Sequence, residues 1–480
     1  MASERCAPGR TRLCVAALAV LAVVLGGCST RSAEPDTPEG AAPTSASATD
    51  GQEQEPGAQD GADATTQPVV LVTHATAPPR SLTLRGARAV LRGELSAWRV
   101  LAAPRMPVAP VVTTLESARA VIRAVERDRW TIGVVPAAKV TPTVRAVRVA
   151  GVDPLRTPTA YPVRTDGPEP PTPTRLTVVG DLMLTRGVTD PAGALRPMSP
   201  PLRAADLTVG NLESTLSTAG VAQQGGDSFG ADPSVLGSLR RAGFDALSLA
   251  NNHTGDYQEA ALVETVRRVR GSPIEPFGAG RDLTQASRPA VLERNGLRFG
   301  FIGFNAIGET PAAGARSPGA LSVRMPPRTG PLDAGDLRHV TGVVRRLAER
   351  VDVVVVLPHW GTQYTHVPEP VQRLVGRRLV DAGADLVAGG HPHWVQGIDA
   401  YRGAVVAHSL GNFVFDMDFM TETMQGVVLE ATFWGARLKA VGLVPYRMDA
   451  AFAPRPAARA EGSAILRDVW ATSTGPFRAR

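Results

Sequence analysis

Three cysteines occur in 480 residues, and all of them, Cys6, Cys14 and Cys28, lie within the first 28 positions. Beyond that point the chain can form neither disulfides nor thiolate-ligated metal sites, so any ion it holds must be taken by His, Asp, Glu and Asn. Lysine is scarcer still: Lys139 and Lys439 are the only two, and the formal charge of +6 is carried almost wholly by arginine. Those arginines are scattered rather than run together, which argues against a nucleic-acid stripe and against nucleic acid as a partner. Histidine occupies only eight positions, so the places where histidines gather carry information.

The first residues read MASERCAPGRTRLCVAALAVLAVVLGGCST, with basic Arg5, Arg10 and Arg12, an apolar stretch from Leu13 to Leu25, and then Leu25-Gly26-Gly27-Cys28. This is the layout of an export signal over residues 1–27, to be set apart from the fold. Its apolar core is shorter than the ~20 residues that span a bilayer. Leu-Gly-Gly-Cys resembles the lipobox of bacterial lipoproteins, which implies cleavage before Cys28, lipidation of that cysteine and anchorage at the extracytoplasmic face of the cell membrane. The other reading is an ordinary secretory signal with an incidental cysteine.

Residues 28–67 are Pro, Thr, Ser, Ala, Gly, Glu, Asp and Gln with almost nothing large and apolar. Such a segment cannot offset its ordering entropy by burial, so a disordered tether is expected. Residues 68–152 alternate strand and helix patterns ("PVVLVTHAT", "LESARAVIRAVERD", "TIGVVPAAKV") and predict a small α/β domain. Its segments resemble pieces of a phosphate-type periplasmic solute-binding domain, with one lobe at most present; His74 stands alone there and reads as structural. Residues 153–174 are rich in proline and are expected to be a linker. Residues 450–480, rich in Ala, Arg and Pro, read as a C-terminal tail.

Between 175 and 449 the pattern changes. Short Val/Leu/Ile/Phe runs alternate with helical stretches, and each run stops at polar residues, as in "RLTVVGDLML", "ADLTVGNLES", "FDALSLANNHTGD", "VDVVVVLPHWG", "ADLVAGGHPHW" and "GAVVAHSLGNF". Continuous apolar strands separated by helices predict an α/β domain whose sheets are covered on both faces. In such folds the residues just past the carboxyl ends of the strands converge on one crevice. Asp181, Asn211, Glu213, Asn252, His253, His359, His391 and His393 all take that position. Four of the eight histidines therefore fall at strand ends, which a packing role does not require and a metal centre assembled from several strands does. The mixture of imidazole, carboxylate and amide oxygen suits zinc, iron or manganese. His-x-His after a strand is, taken by itself, equally compatible with packing; it reads as a ligand pair in the company of "GD", "NNH" and "PHW". Gly389 and Gly390 are expected to let the backbone turn sharply there, and Pro392 to limit the directions of the two imidazoles.

The ordered motifs "GDLML", "NLES", "LANNHTGD", "LPHWG", "GADLVAGGHPHWVQG" and "HSLGNFVFD", covering about 176 to 417, resemble the CapA family, named for poly-γ-glutamate capsule biosynthesis and related to calcineurin-like metallophosphoesterases. The resemblance implies a two-sheet sandwich flanked by helices with a crevice for two divalent ions, in which Asp181, Glu213, Asn252, His359, His391 and His393 are ligands. It further implies that His253 is a general acid, oriented by Asp256, and that Asn211, beside the bridging Glu213, contacts substrate. Arg186 either meets an anionic substrate or lies on the surface, and Asn412 either contacts substrate or satisfies a buried turn. Trp360 and Trp394 read as pocket walls, and His339 and His366 as surface or supporting residues. Three departures from the pattern stand out: Met183 where metallophosphoesterases carry a histidine, a thioether being a poor ligand for a hard ion, Gln363 in "HWGTQY" where a carboxylate is frequent, and His408 in "HSLGNF" at a position the family fills with an aromatic residue. The expected activity is metal-dependent work on an anionic envelope polymer, with a capsule synthase complex as partner. The alternatives are hydrolysis of another envelope phosphoester, or a non-catalytic scaffold that keeps a degenerate site.

Overall fold

The computed structural model describes residues 65–478, apart from 78–80, 93, 95–110, 113–116 and 218. The export signal, Cys28 and nearly all of the 28–67 tether lie outside the described residues.

An apolar run opens the described chain as β1 (Thr66–His74), flanked antiparallel by β2 (Ile132–Pro136) and β3 (Val144–Ala146). Alternation along β1 turns Val70 and Val72 toward helix α2 (Ala118–Arg127), while Leu71 packs with Ala87 and Val90 of α1 (Leu84–Leu91). The expected linker over 153–174 is part of this unit. Leu155 and Tyr161 are buried, the Tyr161 hydroxyl donates to the Val147 carbonyl, and β4 (Arg164–Asp166) pairs with the start of β1. Prolines are compatible with such an edge strand and with the short 3-10 turn at Pro158–Ala160, so their density did not mark a free linker.

Two sheets follow. The first is built from β5 (Pro173–Leu182), β6 (Leu207–Leu212), β7 (Ala246–Ser248) and β8 (Glu275–Phe277), all parallel, with helices α3 (Val235–Ala242) and α4 (Gln258–Arg270) on its outer face. The second comprises β9 (Ala290–Arg294), β10 (Leu297–Asn305), β11 (Val353–His359), β12 (Leu386–Ala388), β13 (Ile398–Tyr401) and β14 (Ala404–Ala407), side by side in that order except that β14 lies between β12 and the edge strand β13. Helices α5 (Leu283–Ala286), α6 (Ala334–Ala348) and α7 (Pro370–Asp381) lie in the same stretch of chain, and α6 and α7 cover the outer face of this sheet. The first sheet is completed by β15 (Asn412–Val414), paired with the end of β5, and by the antiparallel β16 (Gln425–Trp434), β17 (Arg437–Met448) and β18 (Pro454–Pro456).

The four valines of β11 show why the layers form. Val353 and Val355 face the first sheet, joining Val178, Val209, Phe301 and Leu429, whereas Val354 and Val356 face α6 and α7. Helix α6 supplies Val340, Val343, Val344 and Leu347 to that outer layer, the i, i+3, i+4, i+7 spacing of one helical face, and is started by Asp333, whose carboxylate accepts from the amides of Gly335 and Asp336. The region expected as a tail also enters the core. Helix α8 (Arg459–Thr472) buries Ile465, Val469 and Trp470 between the sheets' edges, each worth roughly 1.5–3 kcal/mol. No helix among the described residues is long and apolar enough to cross a membrane.

Candidate metal centre

The parallel strands β5, β6, β7, β11 and β12 deliver their carboxyl ends to one crevice. Asp181 is the penultimate residue of β5, Asn211 lies in β6 with Glu213 just past it, and Asn252 and His253 follow β7. His359 closes β11, and His391 and His393 follow β12. All eight side chains are buried.

Glu213, His359 and His391 offer ligand atoms that all lie within 4.8 Å of one another. His359 Nε2 is 2.7 Å from Asn252 Oδ1 and 3.5 Å from Glu213 Oε1, close to the edge of about 3 Å expected between donors sharing one small divalent ion. Asn211 knits this group together: its amide donates to Asp181 Oδ1 at 2.8 Å and reaches Glu213 Oε2 at 3.4 Å. Its own carbonyl accepts from Asn251 at 2.9 Å. Asn412 resolves toward support. Its amide donates to the Thr423 carbonyl, so its oxygen accepts the Nδ1 proton of His393 at 2.8 Å and leaves Nε2 as the lone-pair nitrogen of that ring. Arg186 is likewise committed to the protein, paired with Asp416 and Asp227 and lying 4.4 Å over the Phe229 ring.

Around "GGHPHW" the backbone differs from expectation. The left-handed residues are the histidines themselves, His391 at φ 92° and His393 at φ 58°, rather than the glycines. Gly390 is required by close approach instead: a Cβ there would stand 2.3 Å from Asp181 Oδ1. Non-glycine residues held at positive φ store strain, as functional sites often do.

His253 and Asp256 form a second group. Asp256 Oδ2 lies 2.8 Å from His253 Nδ1 and also accepts the Phe229 amide, while its Oδ1 accepts from Gln224 at 2.6 Å. The His253 ring stacks on Phe229 at 3.8 Å and turns Nε2 to within 3.8 Å of Glu213 Oε1. Met183 contributes nothing to the crevice, being fully buried in the apolar cluster on the outer face of the first sheet. Trp360 is fully buried, donating to the His408 carbonyl and packed edge-on against Phe304. Trp394 is half-buried beside His366. His339 is exposed on α6, bonded to Ser287, and His408 is tied to Asp399 at 2.9 Å.

Sequence reading passed over Asn251, the first Asn of "NNH", whose amide latches Asn211 and the Leu212 carbonyl while its oxygen accepts the His253 amide. It also passed over Tyr364, the last residue of "HWGTQY". Tyr364 has φ 58°, stacks on His393 and meets exposed Phe419 edge-on at 5.7 Å. The signal available was adjacency to motifs already singled out.

The family model described as bacterial capsule synthesis protein PGA_cap matches residues 175–417. The chain belongs to the PGA_cap family. Among its relatives, the capsule biosynthesis protein CapA of Bacillus anthracis is 29% identical over 302 residues, covering 61% of this chain and 71% of that protein. The PGA biosynthesis protein CapA of Bacillus subtilis (strain 168) is 30% identical over 262 residues, covering 52% and 66%. A probable polyglutamine synthesis accessory protein of Mycobacterium tuberculosis is 29% identical over 221 residues, covering 45% and 57%. The chain thus spans from just over half to about seven tenths of the length of these relatives. The PGA_cap match takes in the second sheet and the parallel strands of the first, a helix-flanked, metallophosphoesterase-like sandwich whose first sheet is completed by β16 to β18.

Whether this PGA_cap crevice fits a cation is decided by its unpartnered atoms. Glu213 Oε1 and both ring nitrogens of His391 are buried with no hydrogen-bond partner. An orphaned buried polar group costs about 1–3 kcal/mol, which coordination removes. The electrostatics agree. Burial and the neighbouring Glu213 push Asp181 up to about 7, and burial also raises Glu213. Burial lowers His359 to about 4 and holds His391 well below its ordinary value, keeping both imidazoles in the neutral form that binds metal. Glu213, Asn252, His359 and His391 are the residues that would hold one ion. Asp181 and His393 lie outside the Glu213, His359 and His391 group, and Met183 supplies no ligand.

Proposed function

We propose that this protein acts in poly-γ-glutamate capsule biosynthesis, in the assembly, anchoring or release of the polymer, as a metal-dependent protein lipid-anchored through Cys28 at the extracytoplasmic face of the membrane. The observation that carries the metal-dependent part is the set of buried, unpartnered donors on Glu213 and His391 at the strand ends of a PGA_cap domain. The capsule part rests on the relatives named above. When bound, a divalent ion (manganese, iron or zinc) supplies Lewis-acid polarisation and charge neutralisation at substrate oxygens. The chain's own share is to position and to move protons. Asp256, fixed by Gln224 and the Phe229 amide, holds His253 so that Nε2 points toward Glu213, where a leaving oxygen would take its proton.

That dyad favours hydrolysis over a purely scaffolding role and keeps a second reading alive, hydrolysis of a different envelope phosphoester. The full chain, loaded with manganese or zinc, is assayed on an aryl phosphate and on poly-γ-glutamate followed by chain length. Shortening of the polymer supports the capsule reading, and turnover of aryl phosphate alone supports the second. Stoichiometric metal analysis showing no bound ion, with no turnover under any added divalent cation, defeats both and leaves the scaffold. In the active case Asp256→Asn is expected to lower turnover about 100-fold with metal content unchanged; equal loss of metal would assign Asp256 to the ligand shell instead.

Metal uptake is also expected to depend on pH. Asp181, raised to about 7, is mostly protonated at pH 6 in the ion-free fold, whereas His359, lowered to about 4, is already neutral. An ion held in the crevice would favour the ionised form of Asp181, so uptake at pH 6 is expected to release about one proton from this group and uptake at pH 8.5 almost none. The raised carboxylate favours the ion-free fold at acid pH, a contribution lost as pH rises through about 7. Calorimetry in buffers of differing ionisation enthalpy reads the proton count, and equal release at both pH values would contradict the assignment.

A further inference from the structure

Away from the crevice, the described residues form an open groove of about 740 Å³ between α6, the edge strand β9, the start of β10 and the α5 segment. Its floor is apolar, formed by Leu283, Pro289, Val343, Leu347 and Val351, and Val291 of the edge strand stands 47% exposed at its side. Its rim carries Arg288, Arg298, Arg346 and Arg350, and no acidic side chain lines it. None of these four guanidinium groups has an ion-pair or hydrogen-bond partner among the described residues.

Arginines without a partner also occur elsewhere among the described residues, Arg119, Arg123 and Arg203 among them, while others find carboxylates, as Arg268 does with Glu264 and Arg373 with Asp399. What sets this groove apart is that four unpartnered arginines converge on one apolar floor with no acidic side chain in its lining. The helix dipole accounts for basic residues near the end of α6, hence for Arg346 and Arg350. It does not account for Arg288 and Arg298, which come from other elements and bring like charge to the same rim. Four unneutralised cations around an apolar floor match a ligand that has both an anionic head and a hydrocarbon body. A fully hydrophilic polyanion would leave the floor unused, and a neutral apolar ligand would leave the charges unpaired. The volume lies in the range of ligand cavities, about 300–1,000 Å³.

We infer that this groove binds the head and upper chain of an anionic phospholipid. The site is separate from the metal centre and goes beyond the capsule reading, although a lipid-anchored protein would meet such a ligand continuously.

The full chain, purified in a non-ionic detergent, is titrated with water-soluble dihexanoyl phosphatidylglycerol, and in parallel with dihexanoyl phosphatidylcholine, inorganic phosphate and a γ-linked glutamate oligomer. The expected result is saturable binding of the phosphatidylglycerol alone. It should weaken at least tenfold in the charge variant Arg298→Glu/Arg346→Glu and in Val291→Asp, all exposed positions whose substitution leaves the core intact. Metal content is measured on the same samples and is expected to stay at the wild-type value, so the fate of this site and that of the metal centre are read separately. No binding of phosphatidylglycerol, equal binding of any of the other three probes, or unchanged affinity in both variants overturns the proposal.

Discussion

His391→Ala is expected to empty the crevice of metal and to abolish any metal-dependent turnover. The same change should leave the ion-free protein as stable as its parent or more so. The two effects have opposite sign because the imidazole is buried with neither nitrogen satisfied. Without an ion, removing it relieves a desolvation cost of about 1–3 kcal/mol, which offsets the lost packing. With an ion, the parent gains binding free energy that the variant lacks, about 2.7 kcal/mol at a hundredfold excess over Kd. Loss of a direct ligand should also exceed the ~10–100-fold fall in affinity that follows loss of a ligand's outer partner. A packing histidine behaves otherwise: its truncation costs stability equally with and without metal. Thermal unfolding in chelator and in excess zinc or manganese, alongside metal analysis, distinguishes the two. Equal destabilisation in both media would show that His391 is a core residue.

How much of this was legible in the chain differs by kind of information. The strand-end positions of Asp181, Glu213, His359 and His391 could be read because an apolar run that stops at a polar residue is a local pattern, and the parallel sheet turns those local ends into one place. That helical stretches separate those runs was visible for the same reason. Partnerships were not. That Arg186 is spent on Asp416, or that Asn412 serves His393, depends on residues distant in sequence meeting in space. Composition misled where it was taken for conformation. The prolines of 153–174 and the arginines of 450–480 suggested a linker and a tail, yet a few apolar residues in each, Leu155 and Tyr161 or Ile465, Val469 and Trp470, sufficed to bind them to the core. Strain was invisible as well: nothing local announces that His391 and His393 take left-handed φ while the adjoining glycines do not.

Those glycines carry the other large expected effect. Gly390→Ala should cost about 2–3 kcal/mol of ion-free stability and weaken metal binding by more than tenfold, although alanine adds one methyl group to a residue that is no ligand. The backbone at Gly390 cannot retreat, since its amide donates to the Pro358 carbonyl at 3.0 Å and its carbonyl accepts from the Trp360 amide at 3.1 Å, which clamps it to β11. The new Cβ would stand 2.3 Å from Asp181 Oδ1, inside any tolerable contact. Asp181 must therefore move, and it is held by Asn211 on one oxygen and by the His391 amide on the other. Displacing it breaks both bonds and disturbs the segment that carries His391. Gly403→Ala is the control: that glycine has φ 90° and open space around its Cβ position, so it should cost only the left-handed backbone penalty of about 1–2 kcal/mol and leave metal content unchanged. If Gly390→Ala matches the control in both stability and metal content, the close approach to Asp181 has no functional weight. If it loses metal while Gly403→Ala does not, then the glycine of "GGHPHW" is present to let β12 reach the carboxylate, and the crevice depends on that packing as much as on its donors.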